Sequence, residues 1–184
     1  MKEIKELQKK QYDFYSSWYN SVIRELITLI PDNANEKKLS KYLIPHIPPA
    51  KIKQSIKLQE ELGIIKKKKG GAYMQANAFI SGGGPYRNKA IVKYQKEMIE
   101  NSKKAWGRFK TNEVSMHTLT LCMSEDLFEP IREEIRKFKK KIFKMVGSEK
   151  KNPERIYNMN LNLFPVTKST KTERECMPVR SKCF

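Results

Sequence analysis

The chain has 184 residues and carries 38 lysines and arginines against 20 aspartates and glutamates, a formal net charge of +18. Apolar residues make up 39% of it, enough to build a core, which excludes wholesale disorder; the length suits one large domain or two small ones. The charge points to a polyanionic partner through counterion release, although a lysine bias inherited from an A/T-rich genome produces the same composition.

Residues 1–10 are mostly charged and lack the apolar centre of a signal peptide. No apolar run approaches the roughly 18 residues of a membrane span, so the expectation is a cytoplasmic protein with no membrane contact. Residues 1–29 predict a helix, amphipathic from Tyr12, with Phe14, Trp18, Ile23 and Leu26 near helical spacing. Pro31 and the polar run after it stop that helix. A short helix over 36–43 carries Leu39, Tyr42 and Leu43 and ends at Pro45. Pro48 and Pro49 open a third helix reaching about residue 62, with Ile52, Ile56 and Leu62 on one side and Gly63 as its cap.

The period changes after Gly63. Ile64 and Ile65 begin a strand, residues 66–71 form a turn with Gly70-Gly71 at its apex, and residues 72–76 return. Three helices followed by a hairpin make a winged helix-turn-helix pattern. The glycine-rich stretch over 81–86 predicts a linker. A long helix over 88–109 follows, with Ile91, Tyr94, Met98, Trp106 and Phe109 on its apolar face.

A β-α-β passage closes the pattern. Leu119, Leu121 and Met123 alternate with Thr118, Thr120 and Cys122, as in a half-buried strand. Ser124 caps a helix whose apolar stripe runs from Leu127 to Val146 and which stops at Gly147. Tyr157, Met159, Leu161 and Leu163 then alternate with Asn158, Asn160 and Asn162 in a second strand, edged by Pro165. The expected fold is α+β: a winged helix-turn-helix over 1–80, a linker over 81–87, a long helix and β-α-β unit over 88–168, and a basic tail over 169–184. The second unit is the candidate for homodimer formation, because a small exposed sheet needs cover.

Catalytic chemistry finds little purchase. Cys122, Cys176 and Cys183 show no CxxC spacing, and His46 and His117 lie far apart, so neither a zinc site nor a Cys-His pair is expected. Cys122 falls in the apolar strand pattern and reads as core. Glu125-Asp126 and Glu133-Glu134 are adjacent surface charges, and Ser81-Gly82-Gly83-Gly84 lacks the GK[ST] ending of a phosphate loop. The expectation is no enzyme and no cofactor.

Binding chemistry has a better case. In a winged helix the third helix enters the major groove and the hairpin touches backbone or minor groove. The solvent face of the third helix should present Lys51, Lys53, Gln54 and Lys57, and the hairpin presents Lys66, Lys67, Lys68 and Lys69. Residues 36–71 hold ten lysines and three glutamates, a net +7. These lysines suit phosphate contacts, and Gln54 suits an adenine edge. The reading is a DNA-binding transcriptional regulator. The alternative is a non-catalytic accessory subunit that uses the same scaffold to dock a protein. RNA would need aromatic stacking platforms, and the aromatics here sit at core spacing.

Phe14-Tyr15-Ser16-Ser17-Trp18-Tyr19 with Ile23-Arg24-Glu25-Leu26 resembles the S-x-WY-x-x-x-IREL motif of an uncharacterised bacterial family. The run from Ile156 to Pro165, with Tyr157, Asn160 and Leu163-Phe164-Pro165, is similar to its YxxNxxLFP motif, and Leu119-Thr120-Leu121 to its preceding strand. That family's members are taken for transcriptional regulators with a C-terminal domain of unknown function, so the resemblance implies regulation and assigns no catalytic residue. Tyr94 stands where the family has a histidine, and Asn112-Glu113 where it has an Arg-Asp pair. Its members also carry a repressor-type helix-turn-helix ahead of the WY motif, which this sequence lacks. A short member, a fragment, or half of a split system completed by a partner protein all fit that difference.

Overall fold

The computed structural model describes residues 12–30, 34–69, 71–76 and 85–170. It is a helix-rich α+β chain whose one sheet among these residues has two antiparallel strands. In chain order the elements are α1 (Trp18–Leu29), α2 (Glu36–Tyr42), α3 (Pro49–Glu61), β1 (Ile65–Lys67), β2 (Tyr73–Gln75), α4 (Pro85–Ala105) and α5 (Phe128–Gly147), with single 3₁₀ turns at Thr111–Glu113 and Glu125–Leu127.

The expected first helix is interrupted. Residues 12–15 are helical, but Ser16 and Ser17 break the run before α1. The Ser16 hydroxyl donates to the Asp13 carbonyl at 2.8 Å, a local bond that competes with the helical ladder. Asn20, itself buried, repairs the break: its Nδ2 donates to the carbonyls of Phe14 (2.8 Å) and Asp13 (3.2 Å). The expected stop at Pro31 lies outside the described residues.

The core sits among α1, α2, α3 and β1. Ile23, Leu26 and Ile27 from α1 meet Leu39 from α2, Ile52 and Ile56 from α3, and Ile64 and Ile65 beyond it. In α3 the buried positions Ile52, Ser55, Ile56 and Gln59 recur at the spacing of one helical face, which frees the opposite face for charge. Asn35 caps α2, its Oδ1 accepting from the Lys38 N–H at 2.9 Å. Pro49 opens α3 in the first turn, where its missing N–H costs nothing.

α4 starts at Pro85, inside the expected linker, whose residues 81–84 lie outside the described ones. It ends at Ala105 rather than Phe109. Gly107 takes φ +73°, and the N–H groups of Arg108 and Phe109 both close on the Ala105 carbonyl. Trp106 therefore leaves the apolar face and is exposed. Tyr94 of α4 shares a 3.1 Å hydrogen bond with Ser21 of α1.

The expected β-α-β unit does not form in the single chain. Residues 114–123 and 152–166 belong to no strand, and among the described residues they make no backbone–backbone hydrogen bond. Their alternating pattern is that of strands, but a ladder needs a neighbour and neither segment finds one. Cys122, expected in the core, is exposed for the same reason. α5 forms but starts at Phe128 after a 3₁₀ turn; Ser124, expected as its cap, makes no side-chain capping bond, and none of the residues of α5 is buried. Two bonds tie the second segment back: Arg155 to Glu113 at 2.8 Å, and Asn160 Nδ2 to the Met98 carbonyl of α4 at 3.2 Å.

Candidate nucleic-acid interface

The candidate face is built on α3 and the hairpin that follows it. α3 closes at Gly63, which adopts φ +66°, a conformation that side chains disfavour. The Gly63 N–H donates to the Glu60 carbonyl and the Ile64 N–H to the Gln59 carbonyl, both at 2.9 Å. This glycine cap turns the chain directly from helix into β1, which packs against α3. β1 pairs with β2 in the register Ile65–Gln75, Lys66–Met74 and Lys67–Tyr73. The turn closes through Lys68 N–H to the Ala72 carbonyl at 2.7 Å, and Gly71 there takes φ +92°. Gly70, expected with Gly71 at the apex, lies outside the described residues.

A side-chain strap holds the hairpin on the body. Gln75 Nε2 donates to the Arg24 carbonyl at 3.2 Å and to the Glu25 carboxylate at 2.9 Å. The Ile23-Arg24-Glu25-Leu26 run thus serves two purposes: its apolar members enter the core, and the middle pair seats the hairpin.

Lys51, Lys53, Gln54 and Lys57 are all exposed on α3, and Lys66, Lys67, Lys68 and Lys69 are all exposed on the hairpin. The two groups are separated by a single glycine turn. Two of these cations have modest local partners. Lys57 lies 4.0 Å from Glu61, and the Lys67 ammonium stands 5.8 Å from the centroid of the Tyr73 ring. Tyr73 titrates above its ordinary value, chiefly because it is partly buried, and further because Glu60 and Glu36 place negative charge nearby. Lys37 and Lys41, exposed on α2, were not among the expected site residues. Their i, i+4 spacing on a helix packed against α3 is the signal that marks them.

Among the described residues no group of three His, Cys, Asp or Glu side chains is placed to hold a metal ion. His46 bonds to Ser40 at 2.9 Å, within the connection between α2 and α3. No helix among these residues is long and apolar enough to cross a membrane.

Fold and site together define a helix-rich α+β protein with a small hairpin and exposed lysines on α3 and on that hairpin. A family model for a domain of unknown function, DUF4423, matches residues 1–166, and the chain belongs to that family. No curated protein and no solved structure matches it.

Proposed function

We propose that this protein binds DNA as a winged-helix transcriptional regulator, with α3 as its recognition helix and the β1–β2 hairpin as its wing. One observation carries the reading: all eight expected contact residues are exposed, on two elements joined by one tight turn. Lysines in that arrangement neutralise phosphates of one backbone stretch. Gln54, exposed in the first half of α3, is the residue whose amide suits a base edge. α3 carries no arginine, so phosphate contacts dominate and sequence selectivity is modest.

A band-shift titration tests this. Replacing Lys66, Lys67, Lys68 and Lys69 by glutamine weakens binding to every duplex alike, whereas Gln54→Ala weakens only the preferred sequences, by about 1–3 kcal/mol. Wild-type affinity in the hairpin variant overturns the wing assignment. The second reading, a docking module for an acidic protein, draws on exposed apolar residues in this region: Met74 opposite Lys66, and Tyr42 and Ile44 before α3. Absence of any DNA binding by the intact chain at low salt selects it.

A further inference from the structure

We propose that the segment 114–166 is a homodimerisation unit, completed by the same segment of a second copy with the two α5 helices antiparallel. The single chain leaves this unit unfinished in two ways. Residues 118–123 and 157–163 alternate apolar and polar side chains, yet the segments 114–123 and 152–166 that hold them spend no backbone hydrogen bond on each other, so each offers an open edge. Their apolar members face water as well: Leu119 is 81% exposed, Tyr157 73% and Phe164 69%. α5 adds Phe138, Phe143, Met145 and Val146, all exposed.

The area decides what kind of contact is missing. At the 150–250 Å² that an aromatic side chain can bury, the apolar side chains left open here amount to about 1,000 Å² per chain. The largest apolar patch of an ordinary monomer is about 300–600 Å². A standard interface takes about 800 Å² from each partner, so this surface is large enough for a stable dimer.

Charge and spacing name the occupant. The first half of α5 and its preceding turn hold Glu125, Asp126, Glu129, Glu133 and Glu134 against Arg132, Arg136 and Lys137, while the second half holds four lysines and no acid. A parallel copy would set like charge on like. An antiparallel copy sets the acidic half of each helix on the basic half of the other, with both sides using one surface as two-fold symmetry requires. Phe128, Ile131, Ile135, Phe138, Ile142 and Met145 recur at alternating intervals of three and four, the spacing of a helix-pair seam. In the antiparallel register Ile135 of one copy meets Phe138 of the other, and Glu134 comes beside Lys141. Within its own chain Glu134 already pairs with Lys137 at 2.7 Å, leaving Lys141 as its cross-chain neighbour, and on the opposite flank Arg132 is held by Glu129.

Size exclusion with light scattering on the full chain reads the mass directly, with twice the 21.6 kDa chain mass expected across micromolar concentrations. The double variant I135D/F138D is expected to run at the mass of one chain while keeping the thermal transition of the N-terminal core, because no residue of α5 is buried. Cross-linking fixes the order without disturbing the seam. With Cys122, Cys176 and Cys183 changed to serine, E134C mixed with K141C should give an interchain disulfide, and E134C alone should not. A single-chain mass at every concentration, or a dimer untouched by I135D/F138D, overturns the proposal and leaves this surface to an N-terminal segment or to a different protein. Cross-linking of E134C with itself overturns the antiparallel order.

Discussion

Gln59 carries a fully buried primary amide between α1 and α3. Its Nε2 donates to the Asn20 carbonyl and to the Ser55 hydroxyl, each at 3.0 Å, while its Oε1 has no partner. The residue stabilises by the two bonds and by its volume, and it costs something through the unpaired oxygen. Gln59→Ala removes both bonds and opens a cavity. The expected loss is about 2–4 kcal/mol, read as a lower urea midpoint with an unchanged slope; a change below a few tenths would show that α1 and α3 do not depend on this lock. Glu113 makes a different kind of contact, at the surface. Its carboxyl lies below the ordinary carboxylate range, first because the Arg155 guanidinium donates to it and then because the Lys110 N–H does. A carboxyl depressed in the folded state stabilises above its unfolded pKa and stops doing so as pH falls through the folded one. The tether between residues 113 and 155 therefore holds at neutral pH and releases in acid, below the usual carboxylate range. Arg155→Ala should return the Glu113 carboxyl to ordinary titration in a carbon-detected NMR titration, and an unmoved midpoint would contradict the contact.

At the scale of elements, one helix completes another. Ser17 precedes α1 but gives no side-chain cap; the Trp18 N–H instead donates to Glu97 Oε2 of α4 at 2.8 Å. The carboxylate also complements the positive end of the α1 dipole. Glu97→Ala should cost about 1 kcal/mol, and Glu97→Gln should recover part of it, both read from thermal or urea unfolding. Equal stability of Glu97→Ala and the native chain would show the cap to be idle. This contact was not legible in the sequence, because it joins residues far apart. Contacts within a few residues were legible: the apolar face of α3, the Gly63 cap and the exposure of the lysines follow from local spacing and turn chemistry, whereas the hairpin register was not, because Lys66 and Lys67, expected in the turn, pair with Met74 and Tyr73 as part of β1. The serine break before α1 was missed because periodicity ignores a hydroxyl bonding back to Asp13. The two C-terminal strands were expected from alternation alone. Alternation records which side chains want burial, and it cannot say whether a ladder partner is in reach within the same chain.

At the scale of the molecule, the N-terminal half holds the buried apolar core and the basic face, and the C-terminal half holds the open apolar surface. Twofold association through α5 would give two basic faces per particle, which suits a regulator that reads paired half-sites along a duplex. The excess of eighteen positive charges adds a long-range attraction to any polyanion, so weak binding at low salt distinguishes nothing. What distinguishes the proposed interface is how many counterions it releases and from where. The most direct measurement is the slope of log affinity for duplex DNA against log salt, for the native chain and for the form with Lys66 to Lys69 changed to glutamine. Each lost phosphate contact lowers the slope by about 0.9. The native chain should give a steep slope and the hairpin variant one shallower by about 2–4; two equal slopes would contradict a wing that rests on the phosphate backbone.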